Sequence, residues 1–276
     1  MDQHPQKGPC YTLDDLLLLM SRLRDPVDGC PWDRAQNFSS IVPHTIEECY
    51  ELADAIENTN ENQIKEELGD LLFQVVFYAQ LASEKQQFTF SEVVASLVEK
   101  LLRRHPHVFP DGTLQSRASK MSVATEEISS SWDKIKKEER HGKHQYSITD
   151  DVPLALPALT RSLKLQKRVA KVGFDFEDID GALKSLQSEI SELIEAGRDH
   201  GIAELEEELG DVIFSSVNVA RFLKIDPESI LRKTNKKFEN RFRYIEEQLL
   251  AAGNSLDNAD IELMDRYWDE AKTKGL

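Results

Sequence analysis

The sequence predicts an all-α protein made of two tandem copies of one helical unit, and three observations carry that expectation. Apolar residues recur at three- and four-residue steps through most of the chain, while the alternating Val/Ile/Thr runs of strands are scarce. The pentapeptide EELGD occurs twice, as Glu66–Asp70 and Glu207–Asp211, each time leading into an apolar stretch. A shift of 141 residues that superposes these copies also carries Glu48-x-x-Glu51 onto Glu189-x-x-Glu192. Further matches follow in order with small slips. Pro31-Trp32-Asp33 falls near Gly173-Phe174-Asp175, Lys100-x-x-x-Arg104 near Lys237-x-x-x-Arg241, and Trp132-x-x-x-Lys136 near Trp268-x-x-x-Lys272. Ordered matches of this kind over much of the chain read as a duplication.

Taken along the chain, the first unit is expected over residues 11–144, a linker over 145–160 and the second unit over 161–276. In IEECYELADAIE, Ile46, Cys49, Tyr50, Ala53 and Ile56 recur at three- and four-residue steps, as on a helix, with Thr45 as the expected N-cap. Leu68, Leu71, Leu72, Val75 and Val76 mark the next helix, across the short polar turn ENTNENQ. An antiparallel helical hairpin follows from so short a turn. The stretch HPHVFPDGTLQSRASKMS reads as a loop, in which His105-Pro106-His107 is structural rather than a metal pair. Pro153 and Pro157 break the pattern between the copies. Leu186, Ile190, Leu193 and Ile194, then Leu209, Val212, Ile213 and Val217, repeat the hairpin, with the turn at Gly197–Gly201. A lone hairpin pair leaves much apolar surface uncovered, so a homodimer is expected. Trp32 is expected to pack on the core.

Composition narrows the classes of function. The chain of 276 residues has a net charge of −16, which disfavours direct binding to duplex nucleic acid through phosphate contacts. No apolar run approaches the roughly 20 residues needed to cross a bilayer, and no cleavable leader is recognisable. Cys10, Cys30 and Cys49 are odd in number and widely spaced, as expected of reduced thiols in a cytoplasmic protein.

The repeated acids carry the chemistry. Residues three apart share a helix face, so Glu48 and Glu51 project from one helix and Glu67 and Asp70 from its antiparallel neighbour. Glu189, Glu192, Glu208 and Asp211 repeat the set. Two carboxylates about 4 Å apart repel by roughly 1 kcal/mol in water and about 4 kcal/mol at an effective dielectric near 20. Either the acids splay into solvent or a divalent cation compensates them, and oxygen ligands favour Mg²⁺, with Mn²⁺ the alternative. A carboxylate-bridged di-iron centre would need Glu-x-x-His steps that neither acidic pair has. Lys233, Lys236, Lys237, Arg241 and Arg243 crowd one late helix and would suit phosphate oxygens, although pairing with Glu239, Glu246 and Glu247 accounts for them equally well. Glycine-rich phosphate loops, GxSxG elbows and nucleophilic Cys/His arrangements are absent from the sequence.

CPWDRAQNF, EECYELADAI, EELGDLLFQVVFYAQLA and RRHPHVF, followed by the second EELGD, resemble the MazG family of nucleoside triphosphate pyrophosphohydrolases over nearly the whole chain. The resemblance implies an all-α fold whose helical hairpins complete bundles across a dimer. It also implies Mg²⁺-dependent hydrolysis of nucleoside triphosphates between the α- and β-phosphates, giving a monophosphate and pyrophosphate. By resemblance, Glu189, Glu192, Glu208 and Asp211 are the metal ligands and catalytic acids, with Glu48, Glu51, Glu67 and Asp70 as a second metal set. Asn218, Lys237, Arg241, Trp268 and Lys272 match positions that the family uses around the nucleotide. Asn218 stands where the first copy has Phe77, which favours the second copy as the working site. One departure is Ser185, where the family often has a lysine four residues before the leading glutamate. Lys184, beside it, projects differently. A helical adaptor that only binds nucleotide or a protein partner is the alternative reading.

Overall fold

A computed structural model describes residues 10–117, 125–142, 144–199 and 201–276. Among the described residues there are eleven α-helices and no strand, as the apolar periodicity requires. The chain divides into two compact units, Met1–Ile135 and Lys136–Leu276.

In the first unit, α1 (Leu13–Leu23) is opened by a capping box in which Thr12 and Asp15 satisfy each other's backbone N–H groups. A five-residue helix α2 (Pro31–Ala35) leads to α3 (Phe38–Glu57), α4 (Glu61–Glu84) and α5 (Phe90–Arg104). The expected hairpin is α3 against α4, joined by a turn of three residues. One boundary differs from the sequence expectation. Helix α3 starts seven residues before Thr45, capped by Asn37, whose side chain accepts from the N–H groups of Ser39 and Ser40. Thr45 lies inside the helix, and its hydroxyl bonds Ile41 O at 3.1 Å and Tyr78 Oη at 2.9 Å. Pro43 also lies inside the helix, where packing of Ile41 and Phe38 into the core holds the helical path through it. Met20, Ile41, Val76, Phe77 and Leu81 form that core. Trp32 also differs from expectation: it is 52% exposed and meets only the edge of His44, with ring centroids 5.8 Å apart.

The loop after α5 is structured over its described part. His105 Nδ1 bonds Leu101 O at 2.6 Å, and its ring meets Trp132 of α6 (Thr125–Gly142) edge-on at 5.2 Å. The boundary between the two compact units falls within α6.

The second unit contains α7 (Ala158–Ala170), α8 (Ile179–Asp199), α9 (Ile202–Phe222), α10 (Pro227–Ala251) and α11 (Ile261–Thr273). The hairpin here is α8 against α9; α7 packs on α9 and α10, and α11 folds back along α10. Buried Tyr244 ties the last pair together, its hydroxyl donating to Glu270 Oε1 at 2.6 Å while Lys274 donates to the same hydroxyl. Gly173, at φ +89, turns the chain out of α7 in a conformation that costs other residues, and so presents Phe174 and Asp175 toward α9.

Phe77 fills the middle of the first unit at 0% exposure, with Phe73 edge-on to it. Its replacement by alanine is expected to cost about 3–5 kcal/mol. The check is a lowered midpoint for loss of the helical circular-dichroism signal in urea.

Candidate functional site

The two hairpins bring acids together as their spacing implies. In the first unit, carboxylate oxygens of Glu48, Glu67 and Asp70 lie within 4.8 Å of one another. In the second, Glu189, Glu192 and Glu208 do the same. Glu189 and Glu192 come from α8 and Glu208 from α9, so each cluster spans a hairpin rather than decorating a single helix. Glu51 and Asp211 stand outside these tightest groups but belong to the same fields. Glu51 raises Glu48 and Glu67, and Asp211 raises Glu189.

The electrostatics follow from crowding. Partial burial pushes the Glu189 carboxyl above its ordinary value, and the charges of Glu192, Asp211 and Glu208 push it further the same way. Glu48 is raised by burial and then by Asp70 and Glu51, against a weak 3.4 Å donation from Gln74 Nε2. Glu67 is raised by desolvation, then by Glu51, Asp70 and Glu66. Among the described residues, no lysine or arginine charge offsets these three shifts. A set of converging oxygens whose pKa values raise one another fits a hard divalent cation.

Beside the second cluster lies a pocket of about 510 Å³, within the roughly 300–1,000 Å³ of typical small-molecule sites. Glu189 belongs both to the acid cluster and to this pocket's wall. Leu165, Val169, Phe174, Phe176 and Phe214 make the wall largely apolar, and Gln166, Ser185, Asn218 and Arg221 are its polar points. Arg221 is pinned by a bidentate pair with Asp175, with Nη1 2.9 Å from Oδ2. Its Nε donates to Asn218 Oδ1 at 2.8 Å, and its guanidinium lies 4.4 Å from the Phe222 ring centroid. The first unit fills the matching position. Phe77, aligned with Asn218, is fully buried, and the Arg24 guanidinium lies 5.3 Å from its ring centroid while pairing with Glu84 at 2.7 Å. A smaller space of about 400 Å³, near Glu51, Asp54 and Glu67, lies along that unit's hairpin instead.

The cationic residues sit on the α10–α11 hairpin. The Arg241 guanidinium lies 5.3 Å from the Trp268 ring centroid and donates from Nε to Leu276 O at 2.7 Å. Lys237 is exposed one turn before Arg241, and Lys272 pairs with Asp269 at 2.8 Å one turn after Trp268. Ser185 lines the pocket, whereas Lys184 is exposed. Sequence reasoning missed Gln166, Phe176 and Arg221 as parts of the pocket. Arg221 could have been noticed because it follows Asn218 by three residues on the same helix face.

A helical unit with a hairpin-spanning acid cluster and an adjoining, largely apolar pocket defines the class: an all-α protein with a candidate divalent-cation site beside a small-molecule pocket. Comparison with known proteins gives the family. The model of the MazG nucleotide pyrophosphohydrolase domain matches twice, at residues 36–109 and 178–245. The chain is 45% identical to the nucleoside triphosphate pyrophosphohydrolase of Escherichia coli K12 over 94% of its own length and 97% of that protein's. It is 43% identical to the nucleoside triphosphate pyrophosphohydrolase/pyrophosphatase MazG of Thermotoga maritima, over 94% of its own length and 95% of that protein's. A nucleoside triphosphate pyrophosphohydrolase of Mycolicibacterium smegmatis is 34% identical over 66% of this chain and 53% of that protein. The chain belongs to the MazG family.

The raised pKa of Glu189 has a consequence for stability. A carboxyl whose folded pKa exceeds its unfolded value holds its proton more tightly in the native state, so stability falls as pH rises from the unfolded value through the folded one. Glu189→Gln is therefore expected to raise the Tm of the metal-free protein at pH 7, with the gain shrinking below about pH 4, where the wild-type carboxyl is protonated. Thermal unfolding at the two pH values in the presence of a chelator checks this.

Proposed function

We propose that the protein hydrolyses nucleoside triphosphates between the α- and β-phosphorus atoms, releasing a nucleoside monophosphate and pyrophosphate, and that it does so in the second unit with Mg²⁺. The observation that carries this reading is the sharing of Glu189 between an acid cluster and a pocket of nucleoside dimensions. The near-full-length relatives named for this activity support it.

Glu189, Glu192, Glu208 and Asp211 are the residues that would hold the ion; Mn²⁺ fits the same oxygens. Bound there, Mg²⁺ would supply charge neutralisation of the triphosphate and acidify a water molecule. The protein's own part is positional and protolytic. A glutamate with a raised pKa is a better proton acceptor than an ordinary carboxylate, which makes Glu189 the candidate base, with Glu192 as the other. Lys237, Arg241 and Lys272 are assigned to the phosphate oxygens, where they neutralise charge developing on the leaving pyrophosphate. Trp268, packed against Arg241, holds that guanidinium in place.

The first unit retains Glu48, Glu51, Glu67 and Asp70, and we assign it a second metal site without nucleoside turnover, because Phe77 and Arg24 fill the position of Asn218. A homodimer is part of the reading. Ile190, Ile194, Leu209 and Ile213 remain 42–52% exposed along the α8–α9 hairpin, and a second copy of the chain would cover them. The linker between functional repeats is assigned to 145–160. A cytoplasmic location fits the free cysteines and the absence, among described residues, of a helix long and apolar enough to cross a membrane. The negative charge continues to disfavour duplex nucleic acid as a partner.

Glu192→Gln and Asp211→Asn are expected to lower kcat for pyrophosphate release by roughly 10²-fold or more, with the helical circular-dichroism signal unchanged. Glu51→Gln and Asp70→Asn are expected to leave turnover within about twofold of wild type. Product analysis by phosphorus NMR distinguishes pyrophosphate from orthophosphate. Orthophosphate with a nucleoside diphosphate would make the protein a different phosphohydrolase.

A further inference from the structure

The pocket beside Glu189 contains a buried polar atom that the protein itself does not satisfy. Gln166 of α7 is 5% exposed, and its Nε2 donates to the Phe214 carbonyl of α9 at 2.8 Å. Its Oε1 is buried with no hydrogen-bond partner. Interiors rarely leave such an acceptor unpaired, so an unsatisfied one in a pocket wall points to a donor that arrives with a ligand. The amide cannot turn to relieve this without losing its bond to Phe214.

Asn218 of α9, which also lines the pocket, offers the complementary group. Its Oδ1 is committed to Arg221 Nε at 2.8 Å, which leaves the Nδ2 donor as the free half of the amide. Arg221 is itself fixed by Asp175 and stacked on Phe222, so the orientation of Asn218 is set from behind. The pocket therefore combines apolar walls, from Val169, Phe174 and Phe176, with an unsatisfied acceptor on Gln166 and a donor on Asn218, beside the hydroxyl-bearing Ser185 and Ser215.

Resting on the pyrophosphohydrolase reading above, we propose that this pocket holds the nucleobase, with Gln166 accepting from and Asn218 donating to its Watson–Crick edge. Every standard base has an N–H donor beside an acceptor on that edge. Adenine offers N6–H and N1, cytosine N4–H and N3, guanine N1–H and O6, and uracil or thymine N3–H and O4. The two amides thus test for a donor–acceptor pair without selecting one base, while the aromatic walls accept any base's π-face. Broad base acceptance and rejection of bases lacking an edge donor follow from the same two residues.

The experiment compares ATP with purine riboside 5′-triphosphate, which keeps N1 but has hydrogen in place of the N6 amino group. Wild-type protein with Mg²⁺ is expected to show roughly tenfold lower kcat/KM for the analogue, because Gln166 Oε1 then stays unpaired. Gln166→Leu is expected to bring ATP down to the level of the analogue and to change the analogue little. Equal kcat/KM for the two substrates in wild type, or a Gln166→Leu variant that keeps the preference, overturns the base assignment. Continued pyrophosphate release in those outcomes leaves the hydrolase reading standing. Failure of wild type to release pyrophosphate from either triphosphate overturns that reading and this proposal together.

Discussion

Mutual repulsion among carboxylates, held at short range by a packed helical hairpin, is the constraint around which each unit is organised. Nothing about an isolated helix forces Glu189 toward Glu208. The approach is imposed by apolar packing of α8 on α9, and it works against the electrostatics. Stability of whole domains is only about 5–15 kcal/mol, so several such repulsions are a serious charge against the fold. The hairpin tolerates them because each acid keeps part of its surface in solvent and because its helix is anchored elsewhere. Tyr244, Ile245 and Leu249 lock α10 in the second unit, and Met20, Phe77 and Leu81 form the interior of the first. A divalent cation bound there would convert the same arrangement from a liability into a source of stability, since binding to the native state alone stabilises it.

The duplication makes the protein its own comparison. Both units keep the acid geometry, and they differ in what lies behind it. Where the second has Asn218, with Arg221 tied to Asp175, the first has Phe77 beneath Arg24, which is tied to Glu84. Each unit thus places an aromatic–guanidinium contact near its hairpin, but in the first the aromatic occupies the interior and in the second Phe222 lies under Arg221. Exchanging a buried phenyl ring for a partly exposed amide removes apolar filling and introduces hydrogen-bonding capacity. That is a loss for packing and a gain for recognition.

Legibility in the sequence followed the range of the interaction. The helices, the hairpin turns and the acid faces rest on contacts within a few residues or on a strong periodicity, and they could be read directly. The start of α3 could not, because Thr45 gave a local signal for a cap that the packing of Phe38 and Ile41 overrides. Trp32 was expected in the core because large aromatics are usually buried, yet α2 holds it against the edge of His44 with half its surface exposed. The pocket was the least visible feature. Its bonds join Gln166 to Phe214 and Asp175 to Arg221, pairs separated by 48 and 46 residues, with no periodic pattern linking them.

Those long-range bonds also account for why a site of this kind is placed where α7 meets α9. A hairpin alone can offer acids, but two helices side by side do not enclose a pocket. A third helix is needed to make a concave wall, and α7 supplies it while leaving one amide, Gln166, as the bridge to the carbonyl of Phe214. The bridge holds α7 at the distance that keeps the pocket open, one turn before Asn218 on the facing helix. The acid cluster spans α8 and α9, and the bridged wall of the pocket spans α7 and α9, so α9 is common to both. Glu208, Asp211 and Asn218 project from that single rigid element, so the spacing between the acid cluster and the recognition wall is fixed by helix geometry rather than by loops.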